Sequence, residues 1–68
     1  MTFQAYLNNI EKQTGVNPEQ WVALFRKKGF PKDIKATPVT DWLTADYKLS
    51  HAYGMAIVRL LRDKGVMT

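Results

Sequence analysis

Cysteine is absent from the 68-residue chain, which excludes disulfides and every metal site built on thiolates. Histidine occurs once, and the six carboxylates, Glu11, Glu19, Asp33, Asp41, Asp46 and Asp63, are scattered without a metal-binding spacing. Asp41 and Asp46, five apart, fall on different sides of any helix that contains them. No apolar run approaches the roughly 18 residues that a membrane helix needs, so no membrane is expected as a partner. The segment from Met1 to Asn9 lacks both the basic start and the apolar stretch of a secretory signal. The expected compartment is the cytoplasm. The four glycines are isolated from one another, so no glycine-rich phosphate cradle is formed. Catalysis needs a nucleophile and a base held in a concave site, and a chain this short offers little volume for one. The expectation is a protein that is not an enzyme and needs no cofactor.

What the sequence does have is hydrophobic content of 46% and charged content of 24%, both ordinary for a folded chain. A domain of this size removes only roughly 60% of its extended-chain surface from water. The three Phe, three Tyr and two Trp are therefore the natural core material, since aromatics bury the most area per residue. Residues 1–68 are expected to form one all-α domain of four helices in an orthogonal arrangement. Phe3, Tyr6, Leu7 and Ile10 follow helical spacing from a Thr2 cap to a Gly15 stop, giving a helix over 3–14. Asn17, Pro18 and Gln20 make a capping box with proline at the first position. Val16 and Trp21 take the staple positions of a helix over 18–28, which Gly29 ends. Thr37-Pro38 repeats the cap-then-proline pattern for a helix over 38–46. Ser50 caps a last helix over 51–64, closed by Gly65. The stretch from Phe30 to Ala36 reads as a loop anchored by Phe30 and Ile34, and Tyr47 to Ser50 as a short turn. The predicted core is Tyr6, Leu7, Ile10, Trp21, Leu24, Phe25, Trp42, Leu43, Tyr53, Ile57, Leu60 and Leu61. Gly54 interrupts the last helix at a cost of about 1 kcal/mol relative to alanine, so a close helix crossing is expected there.

Two surfaces compete as functional candidates. On the last helix, His51, Met55, Val58 and Arg62 fall at i, i+4, i+7 and i+11 and form one stripe less polar than a solvated face. Such a stripe suits docking of a protein partner or of a second copy of the chain. The plain alternative is that it is a second core face, with His51 an ordinary surface histidine. The net charge of +4 is concentrated in the run Arg26-Lys27-Lys28 with Lys32 and Lys35, opposed there only by Asp33. Helix-end chemistry accounts for such a run. It also permits nucleic-acid binding through Lys27, Lys28, Lys32 and Lys35, with Arg59 and Arg62 as additions if they share the surface. The turn between the last two helices allows comparison with a helix-turn-helix, but Ser50 to Met55 offer few base-reading groups, so sequence preference would be weak.

The segments Phe3-Gln4-Ala5-Tyr6-Leu7, Asn9-Ile10-Glu11 and Thr14-Gly15, with Trp42-Leu43 and Met55-Ala56-Ile57-Val58, carry a resemblance across residues 2 to 62. The chain resembles a bacterial family of short helical domains of unknown function, catalogued as number 4287. Members often carry a histidine pair before the last apolar helix. His51 matches one position of that pair, and Tyr53 stands at the other. The resemblance implies a bacterial, intracellular, all-helical module and no established activity.

Overall fold

The computed structural model describes residues 2–68, so Met1, the first residue of the expected domain, lies outside them. Four helices follow in order: α1 (Phe3–Thr14), α2 (Pro18–Lys28), α3 (Ala36–Tyr47) and α4 (His51–Asp63). The first two match their predicted bounds because their caps are made by side chains. The Thr2 hydroxyl oxygen accepts the Ala5 N–H at 3.2 Å. Asn17 and Gln20 bond reciprocally, each side-chain oxygen accepting the other's N–H at 2.8 Å. Between them, the Thr14 hydroxyl donates to the Ile10 carbonyl at 2.7 Å and accepts the Val16 N–H at 3.2 Å. These bonds pair polar groups at the corner of α1 and α2 that would otherwise resist burial.

Helix α3 departs from expectation at its start. Its N-cap is Lys35, which makes no side-chain cap bond, so Thr37 and Pro38 lie inside the first turn. Proline is tolerated there because the first N–H groups of a helix have no internal acceptor. The Thr37 carbonyl accepts the Thr40 hydroxyl at 3.0 Å. The helix runs through Tyr47, and α4 ends at Asp63, each one residue from its predicted end. In the turn between them Lys48 takes φ 57, a left-handed conformation that costs a non-glycine residue roughly 1–2 kcal/mol. What offsets the cost is Leu49, which the turn delivers into the core at 1% exposure. Its carbonyl accepts the Thr44 hydroxyl at 3.0 Å.

Helix α4 packs against each of the other three. Its buried side extends beyond the expected residues: Gly54, Ala56, Ile57, Val58, Leu60 and Leu61 are all shielded from solvent. The core of Leu7, Ile10, Trp21, Phe25, Trp42, Leu43, Ile57, Leu60 and Leu61 is as predicted, and Val39, Leu49, Ala56, Val58 and Met67 complete it. Tyr6, Leu24 and Tyr53, expected inside, are half-buried at its margin. Aromatic rings join α2, the following loop and α3 in a chain. Trp21 meets Tyr47 at 4.8 Å, Tyr47 meets Trp42 at 5.9 Å, Trp42 meets Phe30 at 5.7 Å, and Phe30 meets Phe25 at 5.6 Å. Phe30 and Ile34 anchor their loop on this core as expected.

At the end of α4 the Gly65 N–H bonds to the Arg62 carbonyl, and the Val66 and Met67 N–H groups bond to the Leu61 carbonyl. This pattern requires the left-handed φ of 76 that glycine supplies at Gly65. Met67 then turns into the core at 2% exposure, and the Thr68 N–H donates to the Lys32 carbonyl at 2.9 Å.

Two stability measurements follow from this packing. Leu60→Ala should lower the unfolding free energy by about 2–5 kcal/mol, and a urea titration showing less than about 1 kcal/mol would place Leu60 outside the core. At Gly54 an added Cβ would stand 3.1 Å from Thr40 Cγ2 and 3.3 Å from its Cβ. Gly54→Ala should destabilise by about 1 kcal/mol, because overpacking of about 1–3 kcal/mol exceeds the propensity gain of about 1. Adding Thr40→Ser removes the nearer methyl and should restore part of the loss. If Gly54→Ala alone were as stable as wild type, the crossing of α3 and α4 would be looser than this geometry.

Candidate functional site

Ser50 starts α4 by accepting the Tyr53 N–H on its hydroxyl at 3.3 Å, which places His51 at the first helical position, exposed. One turn on is Met55, 37% exposed and the exposed large hydrophobic side chain among the described residues. Val58 has no exposure at all. This corrects the expected stripe: Gly54, Val58 and Leu61, at i, i+4 and i+7, share one side of α4, Thr40 of α3 lies against Gly54, and all three are buried. The docking residues His51, Met55 and Arg62 remain at the surface, and Val58 is core.

The outward part of α4 instead joins α1. Ala52, Met55, Ala56 and Arg59 face Phe3 and Tyr6 across a groove of about 260 Å³. Arg59 spreads its guanidinium over the Phe3 ring, 4.5 Å from the centroid, a cation–π contact. Tyr6 is braced edge-on by Tyr53 at 5.6 Å. The groove thus has an apolar floor, a flexible thioether on its rim and one positioned cation. Phe3, Tyr6 and Ala52 were missed as surface residues. Phe3 and Tyr6 begin the apolar stripe of α1 and are half-buried.

The basic candidates divide differently from expectation. Lys27, Lys28, Lys32 and Lys35 are all exposed. Lys32 and Arg62 are brought together by the last residue: the Thr68 N–H and hydroxyl donate to the Lys32 carbonyl at 2.9 and 3.3 Å, and Arg62 Nε donates to the Thr68 carbonyl at 3.1 Å. Arg59, three residues before Arg62 on α4, is engaged on the α1 side by Phe3. Lys27 and Lys28 border a separate depression with Asp46, Leu24, Trp42 and Tyr47.

Among the described residues no three His, Cys, Asp or Glu side chains come together in a metal-holding group, and no helix is long and apolar enough to cross a membrane. Residues 2–63 match the profile of a family described as Domain of unknown function (DUF4287). No curated protein and no solved structure matches the chain. The match reaches from the Thr2 cap to the last residue of α4, so it takes in every helix and leaves out the tail that clamps Lys32.

Proposed function

We propose that this chain, which belongs to the DUF4287 family of domains of unknown function, is a non-enzymatic interaction module that docks a protein partner through the groove between α1 and α4. The observation that carries the reading is Met55, 37% exposed in a groove with Phe3, Tyr6 and Arg59. Methionine, aromatics and arginine are the residues enriched at protein interfaces. Methionine reshapes readily against a partner because its side chain is unbranched. Arg59, held flat by Phe3, offers a donor whose freedom is already reduced, so less ordering entropy is lost when a partner carboxylate meets it. The reading keeps the bacterial, cytoplasmic setting expected from the sequence. Docking by a second copy of the chain is the competing version of the same surface.

Met55→Glu should leave the unfolding temperature within a few degrees of wild type, since surface substitutions away from special features usually change stability by about 0.5 kcal/mol or less. It should weaken capture of a bound protein by about tenfold or more, the cost of placing a charge at an apolar contact. The comparison is a pull-down with wild type and variant at equal loading, with sedimentation of the free protein to detect self-association. A partner held equally by both proteins would remove the groove as the docking site.

A second reading is favoured by one observation, the bridging of Lys32 and Arg62 by Thr68. It is weakly sequence-selective nucleic-acid binding through Lys27, Lys28, Lys32, Lys35 and Arg62. Five phosphate contacts would give a log-log salt slope of roughly −4.5 on duplex DNA. Arg62→Ala should make that slope shallower by about one, whereas Arg59→Ala should leave it unchanged. A wild-type slope near zero would reject the reading.

A further inference from the structure

A second groove lies between α2 and the end of α3, beside the core. Trp21 and Phe25 point inward, whereas Gln20, Ala23, Leu24, Lys27 and Lys28 fall at i, i+3, i+4, i+7 and i+8 along the outward side. Val16, in its staple position, extends this row past the start of the helix. The end of α3 supplies the facing wall through Tyr47, the edge of Trp42, and Asp46. Two depressions occupy the flank. One of about 410 Å³ is lined by Gly15, Val16, Gln20, Ala23, Leu24 and Tyr47, and one of about 310 Å³ by Leu24, Lys27, Lys28, Trp42, Asp46 and Tyr47. Leu24 and Tyr47 line both, so the two depressions adjoin, and together they are taken as one trough. It runs along the 11 residues of α2, which at 1.5 Å per residue is about 16 Å.

The trough changes character along its length. At one end Val16, Ala23 and Leu24 present aliphatic walls. At the other two lysines face a single carboxylate. We propose that this trough docks a short amphipathic helix of a partner protein, with apolar side chains along its buried face and carboxylates at the end that lies over Lys27 and Lys28. A groove between two helices takes a third helix by admitting side chains at i, i+3, i+4 and i+7.

Charge selects this occupant over the others. Neither α4 nor α1 of a second copy has a suitable face to offer. The outward side of α4 carries Met55 with Arg59 and Arg62, which Lys27 and Lys28 would repel, and that of α1 carries Gln4, Asn8, Glu11 and Lys12 without an exposed apolar row. Nucleic acid would find Asp46 beside the lysines and, in Trp42 at 9% exposure, no free ring for a base. The proposal concerns a surface separate from the α1–α4 groove and does not depend on Met55.

The test uses the full chain and a fluorescein-labelled synthetic helix of about three turns, leucine at the i, i+3, i+4 and i+7 positions and glutamate at one end, with a counterpart bearing lysine for glutamate. Fluorescence anisotropy should show the glutamate peptide binding at least about tenfold more tightly than the lysine peptide, because like charges placed opposite one another are strongly disfavoured. Ala23→Glu, at an exposed position that leaves the fold intact, and Leu24→Glu should each weaken it by about tenfold or more. Asp46→Asn should tighten it about two- to fivefold, in keeping with the worth of a rim charge. Met55→Glu should change nothing, and amide shifts on binding should gather at Ala23, Leu24 and Tyr47. Equal binding of the two peptides, loss of binding in Met55→Glu, displacement by duplex DNA, or a dimer of the free chain that buries Leu24 would each overturn the proposal.

Discussion

The close approach of Thr40 to Gly54 governs how the remaining surface is arranged. Helix α4 has no Cβ at the crossing, so α3 can settle against it until the Thr40 methyl is 3.1 Å from where that atom would be. Glycine inside a helix costs about 1 kcal/mol relative to alanine, and on the same side of α4 Val58 and Leu61, one and two turns later, are fully buried. Once α3 holds that side, α1 and α2 must share what is left of α4. Only a strip of His51, Ala52, Met55, Arg59, Arg62 and Asp63 stays exposed. The α1–α4 groove is thus the remainder after three helices have been seated.

The parts of this fold that sequence reveals are the parts decided locally. The bounds of α1 and α2 follow from hydrogen bonds between residues three apart, Thr2 with Ala5 and Asn17 with Gln20, and such bonds are written in residue order. The Gly54 crossing was legible for a similar reason, since a glycine amid good helix formers has few other uses. The start of α3 was not. Thr37-Pro38 carries a strong local signal, yet Lys35 begins the helix without any cap bond. The nearby anchoring of Phe30 and Ile34 on the core shows tertiary packing outweighing a cap worth about 1 kcal/mol.

The candidate site was less legible, because exposure is decided by which helix covers which. The period that put Val58 in line with Met55 is correct: 51, 55, 58 and 62 do share one side of α4 to within a residue's width. Helical spacing gives direction but not the boundary of the covered arc, and that boundary falls between Met55 and Val58. Leu24 shows the reverse error. Its spacing placed it inside with Trp21 and Phe25, yet it sits half-buried at the edge, where two depressions meet. Leu49 and Met67 could not be read from period at all, since both lie outside helices and reach the core through a left-handed turn at Lys48 and at Gly65.

The same limit applies to charge. A value of +4 describes a chain, whereas recognition depends on which cations share a surface. Here three places divide them: Arg59 lies against Phe3, Lys27 and Lys28 stand at one end of the α2–α3 trough, and Lys32 is held beside Arg62 by Thr68. Each cation is set beside a different kind of neighbour, an aromatic face, an aliphatic groove with a carboxylate, and a backbone clamp. The useful unit for function in this molecule is therefore the local pairing of a cation with its neighbour, and the groove that gives the pairing a shape.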